Sequence, residues 1–503
     1  MYFEAVCAVN VEKTGRIGEY ALSFPRMQLS FLQEHVTIDN GDESMKTLKK
    51  FFEPVDMTVG EPWKNIAVFT VPMIIGNIAQ QLYNTVDSIV VGKFVGDNAL
   101  AAVGSASPVF NLLLVLFIGI SVGTSVMVSQ YFGAREREQL SKTIGCCITL
   151  TALASFLIMA AGSLFVRPLL ELLHTPDTII DWCTSYLQVL LMGIAGVAYY
   201  NILGGVLRGL GDSVSALFYL LVATVLNIIL DLWFVAGLGL GVFGVALATA
   251  IAQAVSAVLC FLKLMRMQEL FDMRFKYLRA DGEHALTMIR LGLPSGLTQA
   301  IFSMAMIIVQ SLTNSFGEMV IAANVIIMRV DGFAMMPNFS FGTTMTTYAG
   351  QNVGARQYER VEQGAKQGTL MAMGISASIT VLILIFGKYL MGIFTSTREL
   401  VDLSVHMMRI LAVGYVAMAV TQSLSGVMRG AGDTMTPMWI SLFTTVAVRV
   451  PVAYGISWLT RTPDLPHGRS ECIFISLLLS WTLGAAATFA CYRIGWWKKK
   501  AIQ

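Results

Sequence analysis

RGLGD at residues 208–212 and RGAGD at residues 429–433 are two copies of one motif, and they decide how the chain is organised. A second motif behaves in the same way, because FGAR begins at Phe132 and VGAR begins at Val353. The spacing along the chain is the same in both pairs, from 208 to 429 and from 132 to 353. Separate matches at one spacing indicate an internal repeat, so the second half of the chain is expected to repeat the fold of the first.

Apolar segments of membrane-spanning length surround these motifs. A helix needs about 20 residues to cross the ~30 Å hydrocarbon core of a bilayer. Such segments occur at residues 66–91, 108–131, 143–166, 183–206, 214–236 and 241–262, and again at 286–312, 320–347, 367–387, 404–427, 436–459 and 471–492. We therefore expect an all-α membrane protein with twelve transmembrane helices in two pseudo-symmetric six-helix lobes. Because six is an even number, both repeats enter the membrane from the same side, and this parallel repeat suits alternating access.

The composition excludes several classes of function. Hydrophobic residues make up 55% of the chain and charged residues 13%, whereas soluble domains carry about 25% charged residues. A net charge of +2 without a basic stripe argues against a nucleic-acid partner. The spans contain no histidine pair and no nucleophile beside a base, so we do not expect an enzyme and expect no cofactor.

Charge placement predicts the topology and the domain boundaries. Lys and Arg concentrate in the loops on the side of the N-terminus, which the positive-inside rule makes cytoplasmic. Both termini then lie in the cytoplasm of a multi-pass protein of the plasma membrane. The expected units are a disordered extension, a first lobe with helices 1–6, a cytoplasmic linker, a second lobe with helices 7–12 and a basic tail, at residues 1–56, 57–262, 263–285, 286–495 and 496–503.

An acidic residue lies within the first apolar span. Asp87 is preceded by Asn84 and Gln80, three and seven residues earlier, so the three side chains share one helical face. An ionisable side chain inside a span is costly and usually marks a functional site or a paired group. Gln80 and Asn84 are therefore candidates for the lining of a cavity.

A second polar group lies in the fifth and sixth spans. Asn227 and Asp231 are four residues apart, hence on one helical face, and Thr249 offers a hydroxyl from the next span. Two carboxylates in a low dielectric favour proton binding, and amide and hydroxyl oxygens also suit a small hard cation. Proton and sodium both remain open as the coupling ion, and no other metal is expected. The alternative is that Asn227 and Asp231 only bond across helices.

The second lobe does not repeat these acids. When the two halves are aligned on the RGxGD motifs, Asp87 corresponds to Ile308, and Asn227 and Asp231 correspond to Val448 and Val452. This lobe carries other polar residues in its spans. Gln299, Ser303 and Asp331 are candidates for the cavity lining, with Asp331 either paired across helices or facing the cavity.

The quoted motifs resemble one transporter family. PMIIGNIAQQLYNTVDSIVVGKFVGDNALAAVG at 72–104, LNIILD at 226–231 and GQNVGAR at 350–356, together with the RGxGD pair, are similar to multidrug and toxic compound extrusion transporters, in the bacterial branch typified by DNA-damage-inducible protein F. The resemblance implies export of cationic or amphiphilic organic compounds, driven by inward movement of protons or sodium ions. It also implies that Asp87, Asn227, Asp231 and Thr249 form the cation site.

One departure from the family pattern matters. The other bacterial branch has a glutamate in the seventh helix, whereas SGLTQAIFSM after Pro294 contains no acid. A second-lobe cation site of that type is therefore not expected. The alternative function is a flippase for a lipid-linked saccharide or another amphiphilic lipid. We expect a monomer whose partners are a small organic substrate and membrane lipid.

Overall fold

The fold is built from long apolar helices, as seen in a computed structural model that describes residues 53–173, 175–279, 281–463 and 465–502. The first lobe contains α1 to α6 and the second α7 to α12. The first-lobe helices are α1 Pro62–Phe94, α2 Asp97–Gly133, α3 Arg137–Leu172, α4a Asp177–Met192, α4b Ile194–Gly209, α5 Ser213–Asp231 and α6 Gly241–Arg266. The second-lobe helices are α7 Gly282–Ser315, α8 Glu318–Gly354, α9 Tyr358–Gly392, α10a Arg398–Ala412, α10b Gly414–Gly430, α11 Met435–Leu459 and α12 Cys472–Ile494.

The helix count agrees with twelve predicted spans. Ten helices in the described part of the chain are long and apolar enough to cross a membrane, and the α4a–α4b and α10a–α10b pairs pass that test when each is taken as one bent span. The bends measure 52° and 41°. The protein is thus a multi-pass helical membrane protein, and the bent spans occupy the fourth place in each repeat.

Two helices contain π-helical turns. The π-helical segment Leu232–Gly237 follows α5 directly, and Phe443–Arg449 lies in the middle of α11. A π-helical turn holds one more residue than an α-helical turn and is often found at functional sites. These segments therefore mark the fifth span of each repeat.

The repeated motifs adopt the same backbone in both lobes. Arg135 and Arg356 have positive φ angles of 60° and 59°, and Gly211 and Gly432 have φ angles of 93° and 94°. A Cβ atom at Gly211 would lie 2.2 Å from the carbonyl oxygen of Val55. These glycines are therefore required both by the left-handed turn and, at Gly211, by a segment packed against it.

The lobes are joined at the end that holds these motifs. Gln130 of α2 donates through Nε2 to the carbonyl of Gly430 at 2.7 Å, and Gln351 of α8 donates to the carbonyl of Gly209 at 3.1 Å. The two hydrogen bonds are related by the repeat, and each ties one lobe to the other. We call the motif residues 129–135, 208–212, 350–356 and 429–433, with the chain segments 55–59 and 500–502 that pack on them, the closed end.

The segments before α1 and after α12 complete the closed end. The Oε1 atom of Gln351 accepts from the Met57 amide at 2.9 Å, and that of Gln130 accepts from the Ile502 amide at 2.8 Å. Residues 1–52 of the predicted extension 1–56 lie outside the described residues. Its last residues are ordered, since the Val55 amide donates to the Gly211 carbonyl at 3.1 Å, so the predicted boundary is too late.

The C-terminal tail is also packed and not a free basic segment. Trp497 is 1% exposed and stacks on Tyr492, with ring centroids 5.5 Å apart. This buried ring holds the tail against α12. One hydrophobic core lies in the first lobe and extends to Met288 and Leu291 of α7, and a second core lies in the second lobe.

Candidate functional site

The candidate cation site forms where α1, α5 and α6 face one another in the first lobe. Asp87 lies two turns before the end of α1, and Asp231 is the last residue of α5, immediately before the π-helical segment. Asn227 and Asp231 are fully buried and Asp87 is half-buried. The structure thus brings together two acids that lie in the first and fifth spans of the sequence.

Asn227 bridges the two carboxylates. With its amide nitrogen turned toward them, it donates to Asp87 Oδ1 at 2.8 Å and to Asp231 Oδ2 at 3.2 Å. The carboxyl groups of Asp87 and Asp231 are also within hydrogen-bonding reach of each other. With the amide turned the other way, three oxygens face one another, which is an arrangement that suits a small hard cation.

The charge of this group is not compensated by the protein. Neither Asp87 nor Asp231 forms an ion pair with a Lys, Arg or His side chain among the described residues, and the buried Oδ1 atom of Asp231 has no hydrogen-bond partner. Two neighbouring carboxylates in a low dielectric cannot both stay ionised without a counter-charge. The geometry therefore favours a bound proton or a bound cation.

Thr249 bonds to a tyrosine, and among the described residues no hydrogen bond joins it to either carboxylate. The hydroxyl of Tyr83 on α1 donates to Oγ1 of Thr249 on α6 at 3.1 Å. Tyr83 and Tyr186 are buried, and both lie close enough to Asp87 and Asp231 to interact with their charges. The tyrosines were not singled out from the sequence as site residues, because a tyrosine in an apolar span carries no distinguishing signal.

The other candidate lining residues remain outside this group. Gln80 is half-buried and Asn84 is exposed, and neither side chain bonds to the carboxylates. On α7, Gln299 and Ser303 are exposed one helical turn apart, and the Ser303 hydroxyl donates to the carbonyl of Gln299 at 3.1 Å. Whether they contact a substrate remains a prediction.

The second lobe holds a separate polar cluster. The hydroxyl of Tyr415 on α10b donates to Oδ1 of Asp331 on α8 at 3.0 Å. Arg449 on α11 is buried nearby, and its charge acts on Asp331 without a direct ion pair. Asp331 thus bonds across helices, and its place in the cavity lining remains a prediction.

Comparison with known proteins identifies the family. The MatE family model matches residues 72–233 and 294–455, so the chain contains two copies of the same unit. Probable multidrug resistance protein YoeA of Bacillus subtilis is 29% identical over 450 residues, covering 88% of this chain and 96% of that protein. Probable multidrug resistance protein NorM of Thermotoga maritima is 24% identical and covers 79% and 86%.

Solved structures agree with this result. A crystal structure of MATE in the straight conformation has a TM-score of 0.81 at 25% identity and covers 88% of this chain and 98% of its own. The outward-facing conformation of a multidrug resistance MATE family transporter gives 0.80 at 25% identity, with the same coverage. The resemblance is thereby confirmed, as is the prediction of a transporter and not an enzyme. This chain belongs to the MatE family of membrane transporters.

Proposed function

We propose that the protein is a cation-coupled antiporter that exports small amphiphilic or cationic organic compounds by alternating access. One observation carries the proposal: Asp87 and Asp231 meet around Asn227 without a cationic partner among the described residues, and one buried carboxylate oxygen is unpaired. Such a group gains most from binding a proton or a sodium ion. The names of relatives as multidrug resistance proteins favour export over the flipping of a lipid.

The coupling ion would act by changing the charge of the first lobe. Binding of one cation offsets one negative charge where α1, α5 and α6 meet, and this removes repulsion between Asp87 and Asp231. The Asn227 amide can serve either ion, because its nitrogen stabilises the ion-free carboxylates and its oxygen can ligate sodium. Sodium binding therefore requires the amide oxygen to face the carboxylates, whereas a bound proton is compatible with either orientation, since a protonated carboxyl group can donate to that oxygen.

Alternating access would use the closed end as one of two gates. The lobes are tied there by Gln130 and Gln351, and most of the buried apolar residues of each lobe belong to a core of that lobe. Rocking of two repeats about a midplane site would open one end as the other closes. We place the closed end on the cytoplasmic side of the plasma membrane, because the basic loops lie there, and we expect the monomer to be sufficient.

The experiment is transport in proteoliposomes with independently imposed proton and sodium gradients. A fluorescent organic cation should be moved against its gradient when one of the two ion gradients is present, and Asp87→Asn should abolish this movement. Asp402→Asn is the matched control, because Asp402 is exposed and pairs with Lys388 at the surface. Absence of gradient-driven transport by wild type would refute the proposal, and equal transport by wild type and Asp87→Asn under a gradient would refute the role of Asp87.

A further inference from the structure

Arg449 is a buried cation without a direct partner. Arg449 is only 6% exposed, and its Nε atom is buried without a hydrogen-bond partner. No carboxylate among the described residues forms an ion pair with it. A buried guanidinium group is strongly destabilised unless an anion or several acceptors satisfy its donors. An anionic group beside Arg449 would therefore stabilise the second lobe.

The repeat relates Arg449 to a residue of the first-lobe site. Arg449 lies in α11, as the last residue of the π-helical segment Phe443–Arg449. The RGxGD motifs begin at 208 and 429, whereas the two family matches begin at 72 and 294 and end at 233 and 455, spacings that are both longer by one residue. When the repeats are aligned on the ends of the family match, Asn227 corresponds to Arg449, and not to Val448 as the sequence predicted.

The neighbouring acid does not satisfy Arg449. Asp331 accepts a hydrogen bond from Tyr415 at 3.0 Å and is half-buried. It offsets part of the charge of Arg449 from a distance, but the buried Nε atom of Arg449 has no hydrogen-bond partner. A guanidinium group binds carboxylate, sulfonate or phosphate through two parallel hydrogen bonds, a geometry that a lysine cannot match.

We propose that Arg449 binds an anionic group of the exported compound, so that the second lobe selects amphiphiles that carry a carboxylate, sulfonate or phosphate. The inference rests on the proposed function for the statement that the bound compound is exported. Binding itself requires no ion gradient and does not depend on that function. In this arrangement the first lobe takes the coupling cation and the second lobe takes the anionic group, at corresponding depths of the two repeats. Asp331 competes with that anionic group for Arg449.

The test is equilibrium binding to the full chain in lipid nanodiscs, without an ion gradient. The probes are a xanthene dye with a free carboxylate and the methyl ester of the same dye, followed by fluorescence polarisation. Wild type should bind the carboxylate more tightly than the ester. Arg449→Gln should weaken carboxylate binding on the order of tenfold, as expected for the loss of a charge-assisted hydrogen bond, with little change for the ester. Arg449→Lys should fall between the two.

Two further variants separate recognition from structure. Arg329→Gln removes the same charge from an exposed position on α8 and should leave the preference unchanged. Asp331→Asn should strengthen carboxylate binding, whereas a purely structural role of the cluster predicts weaker binding of both dyes. If Arg449→Gln does not fold, the Arg449→Lys and Asp331→Asn variants decide the matter.

Two results would overturn the inference: equal affinity of wild type for the two dyes, or equal loss of both in Arg449→Gln. The outcome is independent of the coupling experiment. A chain that prefers the carboxylate but shows no gradient-driven transport keeps this site and loses the proposed function. A chain that transports under a gradient but shows no preference between the dyes keeps the proposed function and loses this site.

Discussion

Single side chains decide the chemistry of the first lobe. Asn227 bridges two carboxylates, and Tyr83 ties α1 to α6 through Thr249. The acids could be found from the sequence, because a carboxylate in an apolar span is rare and costly. The tyrosines could not be found in this way, because a tyrosine is compatible with an apolar span whether or not its hydroxyl group forms a functional contact.

The Tyr83–Thr249 hydrogen bond is testable by a double-mutant cycle. Tyr83→Phe and Thr249→Val should each lower the free energy of unfolding by about 1 kcal/mol, the net value of a typical hydrogen bond. The double variant should cost clearly less than the sum, because both single variants remove the same bond. Thermal unfolding of the purified protein measures this. Fully additive effects would show that the hydroxyls act independently and that Thr249 has another partner.

The positions of the helices could be predicted from hydropathy, but their bends and π-helical turns could not. The predicted first span, 66–91, lies inside α1 Pro62–Phe94, because hydropathy detects the residues in lipid but not the turns that extend into water. The breaks after Met192 and Ala412 and the π-helical turn at Phe443–Arg449 were not predicted. An apolar run has the same hydropathy whether its helix is straight, broken or π-helical, so the pattern does not show these features.

The crossing of α2 and α7 depends on glycines and gives a prediction for these helices. A Cβ atom at Gly123 would lie 2.2 Å from the carbonyl oxygen of Met288, which belongs to the backbone of α7 and cannot move alone. Gly123→Ala should therefore destabilise the protein by about 1–3 kcal/mol, as in other overpacked contacts.

Gly104→Ala on the same helix is the matched control for Gly123→Ala. No atom lies within 4 Å of its Cβ position, so the substitution should be neutral or slightly stabilising, since alanine favours a helix over glycine. Thermal unfolding compares the two variants. Similar midpoints for Gly123→Ala and Gly104→Ala would mean that α2 and α7 do not cross this closely.

The whole molecule is organised by its repeat. Gln130 and Gln351 occupy equivalent positions in the two repeats and make equivalent hydrogen bonds to the opposite lobe. The sequence predicted this two-lobed arrangement because short motifs recur at a fixed spacing. It could not predict that the two glutamines bond across the lobes, or that segments 55–59 and 500–502 pack on them, since neither segment has a repeated pattern.

Loss of a glutamine should loosen the closed end. Gln351→Ala removes the hydrogen bonds with Gly209 and Met57, and loss of about 1 kcal/mol should raise the population of the opened end roughly fivefold. A cysteine placed at the buried Thr58, in a background without native cysteines, reports the opening. It should react faster with a thiol reagent that is applied from the cytoplasmic side.

Gln357→Ala is the control for the closed end, because Gln357 is exposed and lies only six residues from Gln351. It should leave the labelling rate at Thr58→Cys unchanged. Equal rates in wild type and Gln351→Ala would show that these hydrogen bonds do not hold the lobes together. Labelling by an impermeant reagent only from outside the cell would contradict the cytoplasmic placement of this end.

The central claim is that ion coupling lies in the first lobe, at Asp87 and Asp231, and the most direct measurement is substrate-dependent proton or sodium flux into proteoliposomes. The Asp87→Asn, Asp231→Asn double variant keeps size and hydrogen bonding but loses both titratable charges, so substrate should no longer drive ion movement. The Gln299→Ala, Ser303→Ala double variant should change substrate preference and retain the normal ion flux per substrate. Normal ion stoichiometry in the Asp87→Asn, Asp231→Asn variant would contradict the account and point to Asp331.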